Sequence, residues 1–321
     1  MYQLLNRYQS EFSTHILLYH STYRSIPGNL RNGLHNVEPD TLFKQIQWYK
    51  KYFDIVNLDD LFDNQTNSFG KVAITFDDAY DSVFSEAIPV LESLNAPCTI
   101  YINGASLYGK PFWRDKIRYL INNDLVESFL MCNPDLVFNH SISKNNFYRK
   151  TKSKYVNSKD CDILLDEFFN ERKISIDDVK FCVQDMIGLK KSRLVTYGNH
   201  AYSHYVLSSL TRSQQEYEIY KNQELLESLD VNFSKIFAIP FGGTDDFNKT
   251  TIDLLKKYNY KAFLSSNNRI NLVPVNKVSI SNAHSLLSGE RFMVEPRHNL
   301  FQKQLFKLGI KSLLSHYILF P

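Results

Sequence analysis

Eight short runs rich in β-branched and aromatic residues recur along the 321-residue chain, and most are followed by stretches with helical spacing. They are Ile16 to Tyr19, Ile55 to Asn57, Val72 to Phe76, Cys98 to Ile102, Leu194 to Tyr197, Ile236 to Ile239, Ala262 to Ser265 and Val275 to Ile280. Between them Pro39 to Phe53, with Leu42, Ile46 and Tyr49 on one face, reads as a helix, as do Ser82 to Leu94 and Ser213 to Leu229. Strands alternating with helices predict an α/β fold, a parallel sheet or barrel that the helices cover.

One stretch breaks the rhythm. From about Phe112 to Lys190 the chain is polar, rich in Lys and Asn, and carries its own helical pattern from Ile163 to Phe169. Its length is uncommon for a plain loop, so it reads as an inserted cap or substrate-side segment. The chain therefore divides into one catalytic-size domain, 1–299, interrupted at about 112–190, and a C-terminal element, 300–321. That element has Lys303, Lys307 and Lys311 in one stripe, Phe301, Leu305, Leu308, Leu313 and Leu314 elsewhere, and no acid between Leu300 and Phe320. A basic amphipathic helix on an anionic membrane and a helix packed on the domain both fit it.

Composition removes several classes. With 37 basic and 34 acidic residues the net charge is only +3, which argues against a dedicated nucleic-acid binder. Gly and Pro number 11 and 10, too few for a collagen-like or linker-like chain. Cys98, Cys132, Cys161 and Cys182 form no CxxC pair, so free thiols in a reducing compartment are expected. The first 30 residues hold Arg7, Glu11 and only the short apolar run Ile16 to Tyr19, which predicts no export signal and a cytoplasmic protein, peripheral on the inner membrane face if 300–321 binds lipid. The one Gly-Gly pair, Gly242-Gly243, follows Pro240 and is no phosphate loop, so no nucleotide cofactor is expected.

Two features carry chemistry. The run Val72 to Phe76 leads into Asp77-Asp78, and residues leaving a strand point different ways, so one carboxylate can bind a metal while the other acts as a base. Alone, the pair reads equally as a cap for the helix starting near Ser82. The second feature is His200-Ala201-Tyr202-Ser203-His204, two imidazoles four apart that would meet on one face of a helix or helical turn. It follows Leu194 to Tyr197 through Gly198, so both features fall at the C-terminal ends of strands, where barrel active sites gather. One carboxylate, two imidazoles and an open position make up a catalytic site for zinc or a similar divalent ion.

These residues resemble the polysaccharide deacetylase family, the carbohydrate esterases with the NodB homology domain. Thr75-Phe76-Asp77-Asp78-Ala79-Tyr80 resembles its TFDDG(Y) motif, Asn199 to His204 its H-(S/T)-x-x-H motif, and Phe237-Ala238-Ile239-Pro240-Phe241-Gly242 a variant of its third motif. Leu18-Tyr19-His20 and Val37 to Leu61 resemble the strand and helix that precede the Asp motif in the branch acting on poly-N-acetylglucosamine. The resemblance implies a distorted (β/α) barrel of the NodB type and a metal-dependent hydrolase that removes an N-acetyl group from a sugar of a glycan or glycan precursor. It implies that Asp77 is the general base and that Asp78, His200 and His204 hold a divalent ion, Zn2+ first and Co2+ or Ni2+ as alternatives. The ion would polarise the acetamide carbonyl and acidify water, and the oxyanion would meet a backbone N–H near Tyr80.

Tyr80, Pro240 and Phe241 are the expected substrate contacts, and the substrate would be an N-acetylated saccharide, lipid-linked or nucleotide-linked. The family's general acid falls on His20 or His284. Lys277 stands near the position where the branch often has Arg. Three positions depart from the motifs. Ala79 replaces Gly, a change that is costly if φ is positive there. Ala201 lacks the motif hydroxyl, and Ala238 stands where the commoner third motif has the arginine that orients the catalytic Asp. Two other readings share these residues: a deformylase or other C–N amide hydrolase, and a decayed glycan-binding protein on the same scaffold.

Overall fold

The structure, a computed structural model, describes residues 10–63, 68–275 and 286–319, and the side chains of the last helix as far as 314. Nine parallel strands are present among them. Five form the main run of a large sheet in the order β5 (Val195–Asn199), β4 (Cys98–Ile102), β3 (Lys71–Phe76), β1 (His15–Tyr19) and β9 (Phe292–Met293), and the short β2 (Asp54–Ile55) also pairs with β3. A smaller sheet holds β6 (Ile236–Ala238), β7 (Ala262–Ser265) and β8 (Leu287–Glu290) in that order. Every residue of β1 and β4 is buried, as suits parallel strands covered on both faces.

The two sheets close on each other at two seams, giving the expected distorted barrel. At one, the chain leaves β8, passes through Arg291 and enters β9, so Arg291 stands where the sheets meet, its N–H donating to Ser265 O at 2.8 Å. At the other, Tyr197 of β5 pairs with Phe233 just before β6, its N–H donating to Asn232 O at 2.8 Å. Register then aligns the strand ends. Tyr19 lies beside Phe76, Phe76 beside Ile100, and Ile100 beside Tyr197. The residues that follow, His20, Asp77, Asp78, Asn103 and His200, therefore leave the barrel at one rim.

The described part of Val275 to Ile280 is Val275 alone; Lys277 and His284 also lie outside the described residues. The sequence reading missed β8 and β9, whose Leu-Ser-Gly-Glu and Phe-Met are short, mixed in polarity and separated by a charged residue.

Helix α1 (Pro39–Tyr52) forms as expected, with Pro39 in its first turn, Leu42, Ile46 and Tyr49 buried, and Lys50 and Lys51 at its negative end. The pattern Ser82 to Leu94 is not one helix. Val83–Ala87 is a wide π-turn followed by a short helix, Ile88–Ser93, because Pro89 has no N–H to close the regular ladder.

The stretch 112–190 contributes five helices, of which α2 (Trp113–Asn122) and α3 (Ser158–Glu171) are the longest. Asn157 caps α3 by accepting the Lys159 and Asp160 N–H groups, which carries the helix five residues before the apolar pattern begins at Ile163. The segment's apolar residues, Trp113, Ile117, Phe129, Phe147, Leu165 and Phe168 among them, join the barrel's own core cluster. Helix α4 (Arg212–Ser228) is started by a Thr211–Gln214 capping box, and α5 (Lys249–Lys257) packs beside it.

The last helix, α6 (His298–Leu319), lies on the domain through Phe301, Leu305 and Leu308, with the Phe301 ring 5.4 Å from Trp48 and 5.7 Å from Tyr49. No described helix is long and apolar enough to cross a membrane.

Candidate active site

Asp77 and Asp78 follow β3 at the rim, both buried, and neither caps a helix. Their carboxylates face different partners. Asp77 is gripped by Arg291 in a two-pronged pair, Nη1 to Oδ1 at 2.7 Å and Nη2 to Oδ2 at 2.8 Å. Burial alone would push the Asp77 carboxyl up, but Arg291, His200 and His20 overcome that and hold it below the usual carboxylate range. Among the described residues Asp78 accepts a hydrogen bond from the Asn103 amide alone, at 3.1 Å, and burial beside Asp77 raises it to about 7. A buried carboxylate with so little compensation calls for a cation.

The imidazoles supply the rest of the donor set. His204 Nε2 lies 3.4 Å and His200 Nε2 3.9 Å from Asp78 Oδ1, and the three ligand atoms fall within 4.8 Å of one another. Donor atoms around a tetrahedral ion with bonds of about 2.1 Å stand about 3.4 Å apart, so the set fits a small divalent cation after slight closure. His200 Nδ1 donates to Ala238 O at 2.9 Å, which leaves Nε2 with a lone pair facing the carboxylates.

The two histidines do not lie on a helical turn, as their spacing predicted. Strand β5 ends at Asn199, and His200 to His204 form an irregular loop in which Ala201 and His204 have φ of +64° and +59°. Those left-handed residues fold the loop back so that the rings stand 4.6 Å apart. Helix α4 pins it. Asn222 bonds Ile102 O, Asn199 Oδ1 and Ala201 O, while Glu218 accepts the Ser203 N–H. From the other side, Trp113 Nε1 donates to His204 O at 3.0 Å.

Backbone strain concentrates here. Asp78, Ala79, Ala201, His204 and Phe241, all non-glycine, have positive φ of 54° to 68°. Ala79 stands in the left-handed region where the motif has Gly, at a cost of roughly 1–2 kcal/mol. Such strain persists where the surroundings over-determine it, typically at functional sites.

A cleft of about 430 Å³ opens over these groups, lined by His20, Asp77, Asp78, His200, His204 and Phe241, and by residues of the inserted segment. Of the expected substrate contacts, Phe241 is on the wall, Pro240 is buried and not among the lining residues, and Tyr80 is buried behind it. The Tyr80 hydroxyl donates to Asp115 Oδ1 at 2.8 Å and accepts from Arg118 at 2.8 Å. His20 faces the cleft beside the His35 ring, 5.4 Å away, and burial followed by His35 pushes its imidazole well below 6.5.

Arg291 was missed, and with it the answer to the gap left by Ala238. The orienting arginine comes from the seam between β8 and β9, about 50 residues later in the chain. It lies between Glu290 and the short apolar run Phe292-Met293-Val294, and nothing in that local pattern marks it out.

A carboxylate held ionised beside an Asp-His-His cation site, on the rim of a parallel barrel, defines a metal-assisted hydrolase. The polysaccharide deacetylase family model matches residues 64–160 and 168–263, well over half of the chain, and the protein belongs to that family. It is a carbohydrate N-deacetylase that removes the N-acetyl group of a sugar.

No curated protein matches the chain. Among solved structures, the Streptococcus pyogenes deacetylase PplD in complex with acetate is similar at 18% identity and a TM-score of 0.53, over 92% of this chain and 97% of that one. IcaB from Ammonifex degensii is similar at 14% identity and 0.52, over 92% and 96%. The deacetylase domain of BpsB from Bordetella bronchiseptica is similar at 14% and 0.51, over 89% and 99%. These likenesses establish the fold.

Proposed function

We propose that the chain deacetylates an N-acetylated sugar within a carrier-linked glycan precursor, lipid-linked or nucleotide-linked, with zinc held by Asp78, His200 and His204. The observation that carries this reading is the convergence of those three ligand atoms beside Asp77, which Arg291 keeps ionised at the base of an open cleft. A divalent ion held by Asp78, His200 and His204 would polarise the acetamide carbonyl and acidify water. Asp77, both of whose oxygens the Arg291 fork orients, would accept the proton of the attacking water. His20, which lines the cleft beside His35 and is neutral at rest, would relay to the departing amine the proton that Asp77 takes from the attacking water. The four free cysteines support a reducing, cytoplasmic location.

The test is metal analysis of the purified protein beside His200→Ala and Asp78→Ala, with acetate and formate release followed on N-acetyl and N-formyl sugars. About one divalent ion per chain in the wild type, lost in both variants, with acetate released, is expected. Formate release in place of acetate would make it a deformylase. No ion after zinc or cobalt is supplied would favour the decayed binding scaffold.

The last helix adds a location. Phe306, Ile310, Leu313 and Leu314 stay exposed on α6, interleaved with Lys303, Lys307 and Lys311. This basic and apolar stripe matches the chemistry of an anionic bilayer surface and supports peripheral binding. Deleting the helix would strip Phe301, Leu305 and Leu308 from the core, so Phe306→Ser with Ile310→Ser is the cleaner variant. It is expected to lose sedimentation with anionic vesicles, and unchanged sedimentation would rule the contact out.

A further inference from the structure

Helix α2 carries four cations or anions on its buried side, Arg114, Asp115, Lys116 and Arg118, a costly arrangement unless each charge is compensated. Three are. Arg118 pairs with Asp115 at 2.6 Å, and Lys116 pairs with Asp162 at 2.7 Å and with Asp166. Arg114, only 1% exposed, has no carboxylate partner among the described residues. Its Nη1 donates to Thr151 Oγ1 at 3.0 Å, its Nη2 to Tyr148 O at 2.8 Å, and its Nε has no partner. The guanidinium stacks 4.7 Å from the Trp113 ring and 4.4 Å from the Tyr148 ring.

A second cation stands in the same box. Lys152 Nζ is 5.5 Å from the Tyr148 ring and 5.2 Å from the Phe241 ring, and it too has no ion-pair partner among the described residues. The acid that acts on it, Asp246, gives one oxygen to the Gly243 N–H at 2.7 Å. Burial, and then the neighbouring Arg114 charge, lowers Lys152, and burial lowers Arg114. Both side chains line the catalytic cleft, with Tyr148 between them. The Phe241 ring connects this box to the chemistry: it lies 4.6 Å from the His204 ring and within 5.7 Å of the Arg114 guanidinium.

We propose that Arg114 and Lys152 form an anion subsite for a phosphoryl group carried by the substrate, one ring away from the sugar whose acetamide is cleaved. The proposal rests on the N-deacetylase reading and narrows its substrate to a phosphorylated saccharide. Two uncompensated positive charges in one desolvated box match a phosphate or diphosphate better than a single carboxylate. In the apo protein they repel; the ligand supplies the charge the fold leaves out. The phosphoryl group is common to prenyl-diphosphate and nucleotide carriers, so the subsite itself reads either.

The experiment is calorimetric binding to the zinc-loaded, full-length protein, using N-acetylglucosamine 1-phosphate and N-acetylglucosamine as probes. At least about tenfold tighter binding of the phosphorylated probe is expected in the wild type. Lys152→Gln should erase most of that preference and Lys152→Arg should keep it, with zinc content equal in all three. Arg114→Gln should act like Lys152→Gln, and Lys152, being only half-buried, supplies the variant that leaves the fold intact. UDP-N-acetylglucosamine and a short prenyl-diphosphate-N-acetylglucosamine then separate the two carriers. Equal binding of the two first probes, or a preference that survives in both Gln variants, would overturn the subsite. Phosphate-dependent binding with no acetate released from any probe would leave the subsite standing and overturn the deacetylase reading instead.

Discussion

Asp77→Asn is expected to lower kcat for acetate release by about a hundred- to ten-thousand-fold, the usual contribution of a positioned general base, while zinc content stays that of the wild type. The amide is nearly the same size as the carboxylate and its oxygen still accepts one Arg291 N–H, while its NH2 faces the second prong, so the variant also loses stability and its folded fraction is checked alongside. What it cannot do is take a proton. The ligand atoms of Asp78, His200 and His204 are untouched, which separates a lost base from a lost metal. Acetate-release kinetics with metal analysis on the same sample checks this. Full activity in a zinc-loaded Asp77→Asn protein would remove Asp77 from the mechanism.

Arg291→Gln is expected to cost about 3–5 kcal/mol of stability and most of the activity, because it strands the buried Asp77 carboxylate without its counter-ion. The two side chains are only 1% and 4% exposed, so water cannot replace the guanidinium. In the wild type the Asp77 carboxyl is held below its ordinary value. Its contribution to stability is therefore present above the unfolded pKa and is lost as pH falls through the lower folded value. In metal-free Arg291→Gln, burial is no longer offset by the guanidinium, the carboxyl rises, and the sign reverses: the variant loses stability as pH rises through the raised value. Thermal unfolding across pH 2 to 8 reads both trends, and adding Asp77→Asn to Arg291→Gln should restore part of the loss. A variant as stable as the wild type at pH 7 would show that the pair carries no net stabilisation.

The residues of the candidate metal site were legible because Asp77 and Asp78 directly follow the buried, mostly apolar β3, and His200 follows β5 with His204 at a ligand-like spacing, so both features fall at strand ends, on a barrel rim. How the histidines meet was not legible. A four-residue spacing reads as a helical turn, whereas the real loop depends on positive φ at Ala201 and His204, and the polar side chains of α4 on one side and Trp113 on the other hold that shape. Helix α2 was missed although Trp113, Ile117 and Leu120 recur at helical spacing, and that pattern could not show that the charged Arg114, Asp115, Lys116 and Arg118 between them are buried as well.

The amino-acid sequence by itself determined the alternation of strands and helices, the family resemblance, and the residues of the candidate base and metal-ligand set, because all of these are written in local runs of a few residues. The tertiary structure alone decided that Arg291 holds Asp77, that Phe241 faces the cleft while Tyr80 stands behind it, and that Arg114 and Lys152 share one box. The reason is one of range. Burial and pairing of charge are settled by which distant segments the barrel closure brings together, here residue 77 with residue 291 across the seam between two sheets, and no local pattern records that contact.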